Sequence, residues 1–365
     1  MPAPALSTRL RQNASRALRS SWLHPLNDTE AINDLLAWAN PRWSLTEIRA
    51  ELVGREQQTA DTCSFWLRPN RLWPGFRAGQ HVAISVEIDG VRQQRIYSLS
   101  SDPADDGLLR LTVKRQTGGL VSNWLHDQLK VGDIVTLGEP GGDFILPERV
   151  ERPLLLLSAG SGITPMLALL HALRARHADA DVVLLHLCRD PADQIFADEL
   201  AELARDWPTL RVQTWHTARD GRPAADALLA GVPDHAARDL YLCGPATFMA
   251  AIEAHRLAGG STARLNLERF GLAPRIAEDG DGSEVRCARS ERLFDVQAGE
   301  ALLPAAERAG LKPAYGCRIG ICRTCLCHKR SGSVENLVTG ELSGSGDEWI
   351  RLCVSTPRSD LELDL

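Results

Sequence analysis

Four cysteines near the end of the chain have a spacing that could hold iron. Cys317, Cys322 and Cys325 lie close together, and Cys353 follows farther along. A C-x4-C-x2-C run with a distant fourth cysteine is typical of thiolates that bind a 2Fe–2S cluster. A structural zinc site is the alternative, but paired zinc motifs usually present two short-spaced couples, and here the second couple is missing. The spacing therefore predicts a 2Fe–2S cluster with these four ligands.

A second group of residues could bind a phosphate and a planar ring. Arg95-Ile96-Tyr97-Ser98 lies in a predicted strand, where alternate side chains share a face. Arg95 and Tyr97 therefore point to one side, where a guanidinium can pair with phosphate and a phenol ring can pack on a cofactor. An ordinary barrel strand is the alternative for this tetrapeptide taken alone.

A glycine pair follows the next predicted strand and precedes a predicted helix. Gly118 and Gly119 open the segment, and Ser122 lies in the first turn of the helix. Free amides at a helix N-terminus, together with a serine hydroxyl, form a site that attracts phosphate. A simple loop is the alternative. The order of strand, glycine turn and helix favours the phosphate site.

Two further turns follow predicted apolar strands, and the first of them could bind a dinucleotide. Gly160, Gly162 and Pro165 follow an apolar strand, but Pro165 occupies the position of the third glycine of a G-x-G-x-x-G motif. The glycines can still bring the backbone close to a pyrophosphate, and proline suits the first turn of the following helix. Cys243 starts a C-G-P turn after another apolar strand. A lone buried cysteine usually serves only as a small apolar residue.

Two kinds of secondary-structure pattern must position these residues. Short β runs separated by turn residues fill residues 45–149 and predict an antiparallel barrel. Strands alternate with helices over residues 150–275, which predicts a parallel sheet covered by helices. The predicted barrel strands are His81–Ile88, Gln94–Ser100, Leu108–Lys114 and Ile134–Gly138, and those of the parallel sheet are Pro153–Ser158, Asp181–Cys188, Arg211–Thr217 and Leu240–Cys243.

Length, charge and composition limit the remaining possibilities. A chain of 365 residues predicts two or three domains. We assign residues 1–44 to a helical N-terminal extension and residues 283–365 to a cysteine-bearing domain. A net charge of −6 gives no reason to expect a nucleic-acid partner. An uncharged run at 154–170 could mimic a membrane span, but its central glycines and proline favour a strand, a turn and a helix.

The compartment can also be predicted. Residues 1–20 carry four arginines and no apolar core, so no secretory signal is predicted. Nine cysteines without such a signal indicate a reducing compartment with metal or redox sites. We expect a cytoplasmic protein that could contact the inner face of the membrane through residues 1–44.

Together these motifs resemble the ferredoxin-NADP reductase superfamily fused to a C-terminal plant-type 2Fe–2S ferredoxin, over about Ser44 to Leu365. The resemblance implies a flavin-binding β-barrel, an α/β NAD(P)-binding domain and a β-grasp ferredoxin domain. It also implies an NAD(P)H-dependent oxidoreductase that contains FAD, with FMN as the alternative. Hydride would pass to the flavin, and electrons would leave one at a time through the cluster.

The resemblance implies roles for individual residues as well. Ser98 and Cys243 would lie beside the reacting atoms, and the aromatic ring of Phe270 would cover the flavin. The implied flavin-binding residues are Arg95, Ile96, Tyr97, Ser98, Val113, Lys114, Gly118, Gly119, Leu120 and Ser122. The implied dinucleotide-binding residues are Gly160, Gly162, Thr164, Pro165, Arg189, Cys243, Gly244 and Pro245, and Glu268 and Phe270 are further implied cofactor-binding residues.

The choice of coenzyme depends on Arg189. It follows a predicted strand, where a positive side chain could meet an adenosine 2′-phosphate, and this favours NADPH over NADH. A surface pair with Asp190 or Asp193 is the alternative. His81 and the other histidines considered have no partner at metal-ligand spacing, so we expect them to be structural or exposed.

The acceptor of the electrons is a separate prediction. The segments Trp22–Leu26 and Asn40–Ser44 resemble, loosely, the extension of reductases that serve membrane-bound fatty-acid desaturases. We therefore expect a membrane desaturase or hydroxylase as partner. A soluble Rieske oxygenase component or a cytochrome P450 is the first alternative, and a redox sensor without turnover is the second. Arg318 and Arg323 are expected either at the partner's footprint or as counter-charges to the cluster.

Overall fold

The structure is a computed structural model that describes residues 28–105, 107–270, 282–316, 318, 320 and 324–365. Within the predicted N-terminal extension it contains one helix, α1 (Thr29–Ala39). Asn33 attaches this helix to the chain that enters the barrel: its Nδ2 donates to Thr46 Oγ1 at 2.9 Å, and its Oδ1 accepts from the Leu45 amide at 2.8 Å. The prediction for residues 1–27 lies outside the described residues.

The first domain is an antiparallel barrel built on a six-stranded sheet. Its strand order is β4-β3-β6-β1-β2-β5. Apolar side chains on the inner face form its core, since antiparallel strands with one buried face alternate apolar and polar residues. The strands are β1 (Ile48–Thr59), β2 (Thr62–Pro69), β3 (His81–Ile88), β4 (Val91–Ser98), β5 (Leu109–Lys114) and β6 (Ile134–Leu137), with helix α2 (Leu120–Asp127) between β5 and β6.

The second domain is a five-stranded parallel sheet with strand order β11-β10-β7-β8-β9. Strands β7, β8 and β10 are buried along their whole length, as expected for a parallel sheet with both faces covered. The elements are β7 (Leu154–Ala159), α3 (Ile163–Arg176), β8 (Val182–Cys188), α4 (Ala197–Asp206), β9 (Leu210–His216), α5 (Thr217–Asp220), α6 (Ala225–Leu229), β10 (Asp239–Cys243), α7 (Ala246–Ala258) and β11 (Leu265–Glu268).

The uncharged run at 154–170 divides into β7, a short turn at Gly160–Gly162 and the start of α3. The predicted sequence of strand, turn and helix is therefore confirmed. Among the described residues, no helix is both long enough and apolar enough to cross a bilayer.

The third domain contains a mixed sheet of order β13-β12-β18-β14-β16 and a small β15-β17 ribbon. Helix α8 (Leu302–Arg308) packs its apolar side chains into the core of this domain. The strands are β12 (Ser283–Cys287), β13 (Leu293–Val296), β14 (Leu326–Ser331), β15 (Val334–Asn336), β16 (Glu348–Arg351), β17 (Ser355–Pro357) and β18 (Leu361–Leu363). Cys325 immediately precedes β14, so the sheet fixes this cysteine.

Partly buried ion pairs join the barrel to the nucleotide domain. The Arg110 guanidinium on β5 forms a two-point contact with Glu199 on α4, with N–O distances of 2.7 and 3.0 Å. His171 on α3 approaches the same carboxylate at 2.8 Å. Lys114 Nζ lies 2.7 Å from Asp193 Oδ1. These contacts fix the orientation of the two domains around the cleft between them.

Candidate flavin, nicotinamide and cluster site

A cavity of about 520 Å³ lies where the three domains meet. This volume falls within the usual range for small-molecule sites. Ten of the residues that sequence analysis assigned to cofactors line it: Arg95, Ile96, Tyr97, Ser98, Lys114, Gly119, Leu120, Ser122, Thr164 and Phe270. Sequence analysis did not assign five others to this site: Thr112, Gln116, Val121, Ser161 and Arg318.

Strand β4 and the start of α2 form the barrel side of the cavity. A Cβ on Gly119 would lie 2.5 Å from Ser122 Oγ and 2.8 Å from Gln116 Cβ, so only glycine fits this turn. Ser122 Oγ accepts a hydrogen bond from the Gln116 amide at 3.2 Å, which holds the turn against the helix. The N-terminus of α2 therefore borders the cavity with Leu120 and Val121, as a phosphate-binding helix start requires.

The residues of this wall fit FAD. Arg95 brings a positive charge to the cavity, Lys114 adds one that is already paired with Asp193, and the helix N-terminus adds a partial one. Burial raises the pKa of Tyr97, so its phenol stays protonated and its ring offers an apolar face. Phosphate groups and a planar ring system match these surfaces.

A second cavity of about 370 Å³ adjoins the first and shares Lys114, Gln116, Ser161 and Phe270 with it. Gly160, Gly244 and Pro245, from the two predicted dinucleotide turns, also line this cavity. The two turns touch directly at Gly162, because a Cβ there would lie only 2.2 Å from the Cys243 carbonyl oxygen. A nicotinamide dinucleotide held by these turns would lie beside the flavin cavity.

A buried polar network lies between the barrel and the nucleotide domain. Ser98 Oγ donates to Glu268 Oε1 at 3.2 Å, and His81 Nδ1 lies 3.4 Å from the same oxygen. Burial raises the pKa of Glu268, although the neighbouring His81 and Ser98 oppose this shift. Glu268 Oε2 and His81 Nε2 have no hydrogen-bond partner among the described residues. His81 is thus partly buried beside Glu268, which agrees with the expectation of a structural role and places it next to the candidate site.

Cys243 lies behind this network as a fully buried thiol. Burial, and secondarily the nearby Glu268 carboxyl, raises its pKa well above the ordinary value, so the thiol stays neutral. It lines neither cavity directly. Its place beneath the turn makes it a small neutral surface rather than a nucleophile, since nucleophilic cysteines need a lowered pKa.

Several predicted site residues lie away from both cavities. Val113 is buried in the barrel core, and Pro165 is buried in α3. Gly118, with φ of +70°, shapes the turn before α2. The Arg189 side chain is 63% exposed and pairs with Asp193 at 3.1 Å, which is the surface pair that sequence analysis held as the alternative. The assignment of Arg189 to a 2′-phosphate stays a prediction.

Two of the four predicted cluster ligands are described. Cys325 and Cys353 are both buried, and their sulfur atoms lie 3.1 Å apart. This separation is too long for a disulfide, whose S–S bond is about 2.05 Å, and it would let both sulfurs bind one iron ion. Cys317 and Cys322 lie outside the described residues. The described pair fits the 2Fe–2S prediction.

Arg318 belongs to the ferredoxin domain and reaches the flavin cavity. Its guanidinium borders the flavin cavity and pairs with Glu307 on α8, at N–O distances of 2.6 and 2.9 Å. The Arg318 side chain is 36% exposed, so its expected role at a partner's footprint or as a counter-charge to the cluster stays a prediction. Arg323 lies outside the described residues.

Comparison with protein-family models gives three consecutive matches. They are an oxidoreductase FAD-binding domain at residues 49–145, an oxidoreductase NAD-binding domain at 156–254 and a 2Fe-2S iron-sulfur cluster binding domain at 285–358. A relative from Mycobacterium tuberculosis, described as NADPH oxidoreductase, is 36% identical over 91% of this chain and 88% of its own length. The chain is a ferredoxin reductase with a 2Fe–2S domain. The predicted family, fold, FAD, NAD(P) and cluster are thereby confirmed for this reductase.

Two other similar proteins extend the comparison. The glycine betaine monooxygenase reductase subunit of Chromohalobacter salexigens is 30% identical over 79% of this reductase and 87% of its own length. The solved structure of phthalate dioxygenase reductase, described as modular for electron transfer from pyridine nucleotides to [2Fe-2S], is 28% identical. It superposes with a TM-score of 0.61 and covers 88% of this chain and 98% of its own. The reductase therefore shares the whole three-domain architecture.

Proposed function

We propose that the chain is the reductase component of an oxygenase system. It takes hydride from NAD(P)H and delivers electrons singly to the metal centre of a separate enzyme. The observation that carries the proposal is the composition of the 520 Å³ cavity, which contains barrel residues, Ser161 and Thr164 of the dinucleotide turn, and Arg318 of the cluster loop. When bound, FAD would accept electrons in pairs and release them singly, linking a two-electron donor to a one-electron cluster.

The chain's own residues orient the partners of this transfer. The hydroxyl of Ser98 and the carboxyl of Glu268 form a hydrogen bond at the boundary between barrel and nucleotide domain, with His81 beside them. Phe270 is 43% exposed and lines both cavities. Because Phe270 borders both cavities, we expect its ring to lie between a bound flavin and an entering nicotinamide and to move aside for the coenzyme.

The test is anaerobic titration of the purified FAD- and cluster-loaded protein with NADPH and with NADH, followed by absorbance and by electron paramagnetic resonance. We expect flavin bleaching followed by the signal of a reduced 2Fe–2S cluster, with NADPH the better donor. The matched variant Cys353→Ser should still show flavin bleaching but lose the cluster signal and most one-electron output to cytochrome c. Absence of flavin bleaching with both coenzymes would rule out the proposed function.

An oxygenase acceptor is supported by the descriptions of the similar proteins, which are reductases of a monooxygenase and of a dioxygenase. Candidate soluble oxygenase components can be added to the reduced protein under anaerobic conditions. We expect reoxidation of the 2Fe–2S cluster at a rate that depends on the concentration of the true acceptor. An acceptor whose reduction rate matches that of free cytochrome c would not be the partner.

A membrane desaturase or hydroxylase is the second candidate acceptor. One observation favours it: four large apolar side chains in the segment 35–45 are exposed, by 67% at Leu35, 87% at Trp38, 51% at Trp43 and 55% at Leu45. Such side chains can insert into the headgroup region of a bilayer. We expect the double variant Leu35→Gln, Trp38→Gln to lose sedimentation with phosphatidylethanolamine–phosphatidylglycerol vesicles, and the control Leu257→Gln to retain whatever binding the wild type has. If the wild type does not sediment with these vesicles, this candidate fails.

A further inference from the structure

Arg318 belongs to the ferredoxin domain but contributes to the wall of the flavin cavity. It directly follows the predicted cluster ligand Cys317 in the sequence and has a left-handed backbone conformation, with φ of +61°. Its guanidinium lies 3.9 Å from the centroid of the Tyr315 ring and forms a two-point ion pair with Glu307. Since a positive φ is costly for an arginine, these contacts must hold the loop in this conformation.

Arg95 approaches the same loop from the barrel. Its Nη1 donates to the carbonyl oxygen of Gly316 at 3.0 Å and to that of Gln94 at 2.7 Å. Its guanidinium also lies 5.8 Å from the centroid of the Tyr315 ring. Gly316 is the residue immediately before Cys317. The predicted flavin-binding arginine therefore contacts the backbone that carries a cluster ligand.

Of the positive side chains at the cavity, Arg318 and Lys114 are paired with carboxylates of the described residues and Arg95 is not. Glu307 neutralises Arg318, and Asp193 pairs with Lys114 at 2.7 Å. Arg95 forms no ion pair within the described part of the chain, so its charge is available to an anionic group in the cavity. A phosphate on Arg95 would strengthen the hydrogen bonds in the same network, because each charge-assisted contact polarises its neighbours.

We propose that Arg95, Tyr315 and Arg318 form a clasp that holds Gly316 and Arg318, the neighbours of Cys317 in the chain, at the flavin cavity and thereby sets the rate of electron transfer from flavin to cluster. The proposal rests on the proposed function. In each step the reduced flavin loses one electron and the oxidised cluster gains one, with NAD(P)H as the reductant and the external acceptor emptying the cluster. After two steps the proton delivered with the hydride leaves to solvent. Tyr315 and Arg318 act as positioning residues.

Rapid mixing of the FAD- and cluster-loaded protein with NADPH tests the clasp, because flavin bleaching and cluster reduction can be followed separately. In Arg318→Gln and in Tyr315→Leu, we expect the rate of cluster reduction to fall roughly tenfold relative to that of flavin bleaching in the same sample. Tyr315→Phe, which keeps the ring beside Arg318 but loses the hydroxyl that interacts with it, should slow cluster reduction less than Tyr315→Leu does. Arg308→Gln, which removes another arginine–glutamate pair of α8, should leave both rates unchanged.

Hydrogen–deuterium exchange gives a readout that does not depend on turnover. The peptide spanning residues 309–327 should exchange faster in Arg318→Gln than in wild type, and should be unaffected in Arg308→Gln. If the Tyr315→Leu variant loses its cluster, the Arg318→Gln variant alone is used to test the clasp. The clasp would be overturned if Arg318→Gln showed the wild-type ratio of the two rates and the wild-type rate of hydrogen exchange. Failure of both NADPH and NADH to bleach the flavin would instead count against the proposed function.

Discussion

Replacing Glu199 by glutamine should weaken the attachment of the barrel to the nucleotide domain. The Glu199 carboxylate accepts hydrogen bonds from Arg110, which is buried, and lies 2.8 Å from His171. Glutamine keeps the shape of the side chain but removes its charge. The Arg110 guanidinium would then be buried without its only ion-pair partner among the described residues, and such a group is costly.

The pKa of Glu199 gives the magnitude. Burial acts to raise it, but hydrogen bonds from His171 and Arg110 outweigh burial and lower the pKa from 4.5 to about 2. This difference corresponds to roughly 3 kcal/mol in the free energy of unfolding. The side chain remains 30% exposed, and solvent screening reduces the expected cost of the substitution to about 2 kcal/mol.

The pH dependence has a definite sign. Because folding lowers the pKa of Glu199, its stabilisation is complete above 4.5 and is lost as the pH falls from there towards 2. Urea unfolding of the FAD-loaded protein, followed by tryptophan fluorescence, should show the full difference between wild type and Glu199→Gln at pH 7 and a smaller one at pH 4. Glu300→Gln, at the more exposed pair with Arg308, should change stability by less than about 1 kcal/mol. Equal midpoints for Glu199→Gln and wild type at pH 7, or a difference that grows on acidification, would refute the reasoning.

Two further substitutions test the site and the cluster domain. Gly162→Ala should slow flavin reduction by NADPH at least tenfold in stopped-flow measurements, because its Cβ would lie 2.2 Å from the Cys243 carbonyl oxygen. The control Gly160→Ala places its Cβ in open space, although its φ of +56° should cost about 1 kcal/mol of stability. Flavin reduction by NADPH should be faster in Gly160→Ala than in Gly162→Ala. Lys329→Met should lower the free energy of unfolding of the ferredoxin domain by about 3 kcal/mol or more, because the fully buried Lys329 ammonium donates to three backbone carbonyls. Thermal unfolding followed by cluster absorbance measures this loss, and an unchanged midpoint would show that the buried charge contributes nothing.

The sequence predicted the regular elements well where local signals were strong. Strand β3 has the predicted bounds, and the strand before Gly160 ends within one residue of its predicted end. Strand β4 was predicted to begin at Gln94 but begins at Val91, because the Asp89-Gly90 turn closes a tight hairpin with β3. The β1–β2 hairpin was not predicted, since the polar run Glu56–Gln58 hides the alternation of β1.

The position of His81 shows that strand register can bring a residue next to a motif from which it is distant in the sequence. It lies directly opposite Ser98 in the β3–β4 hairpin, so antiparallel pairing brings it to the predicted flavin strand. The sequence contained this information, because the hairpin turn sets the register. The contact of Glu268 with Ser98 and His81 could not be predicted from the sequence, since it depends on how the barrel and the nucleotide domain pack.

The sequence by itself determined which chemistry the chain carries. Phosphate turns, a flavin strand and a cluster loop each depend on residues a few positions apart, so spacing alone identifies them. The tertiary structure decided how these sites are joined. Arg95 and Gly316 are 221 positions apart in the sequence, yet they share a hydrogen bond. Such a contact is set by the packing of complete domains, which no local pattern encodes, and it turns three separate motifs into one continuous site.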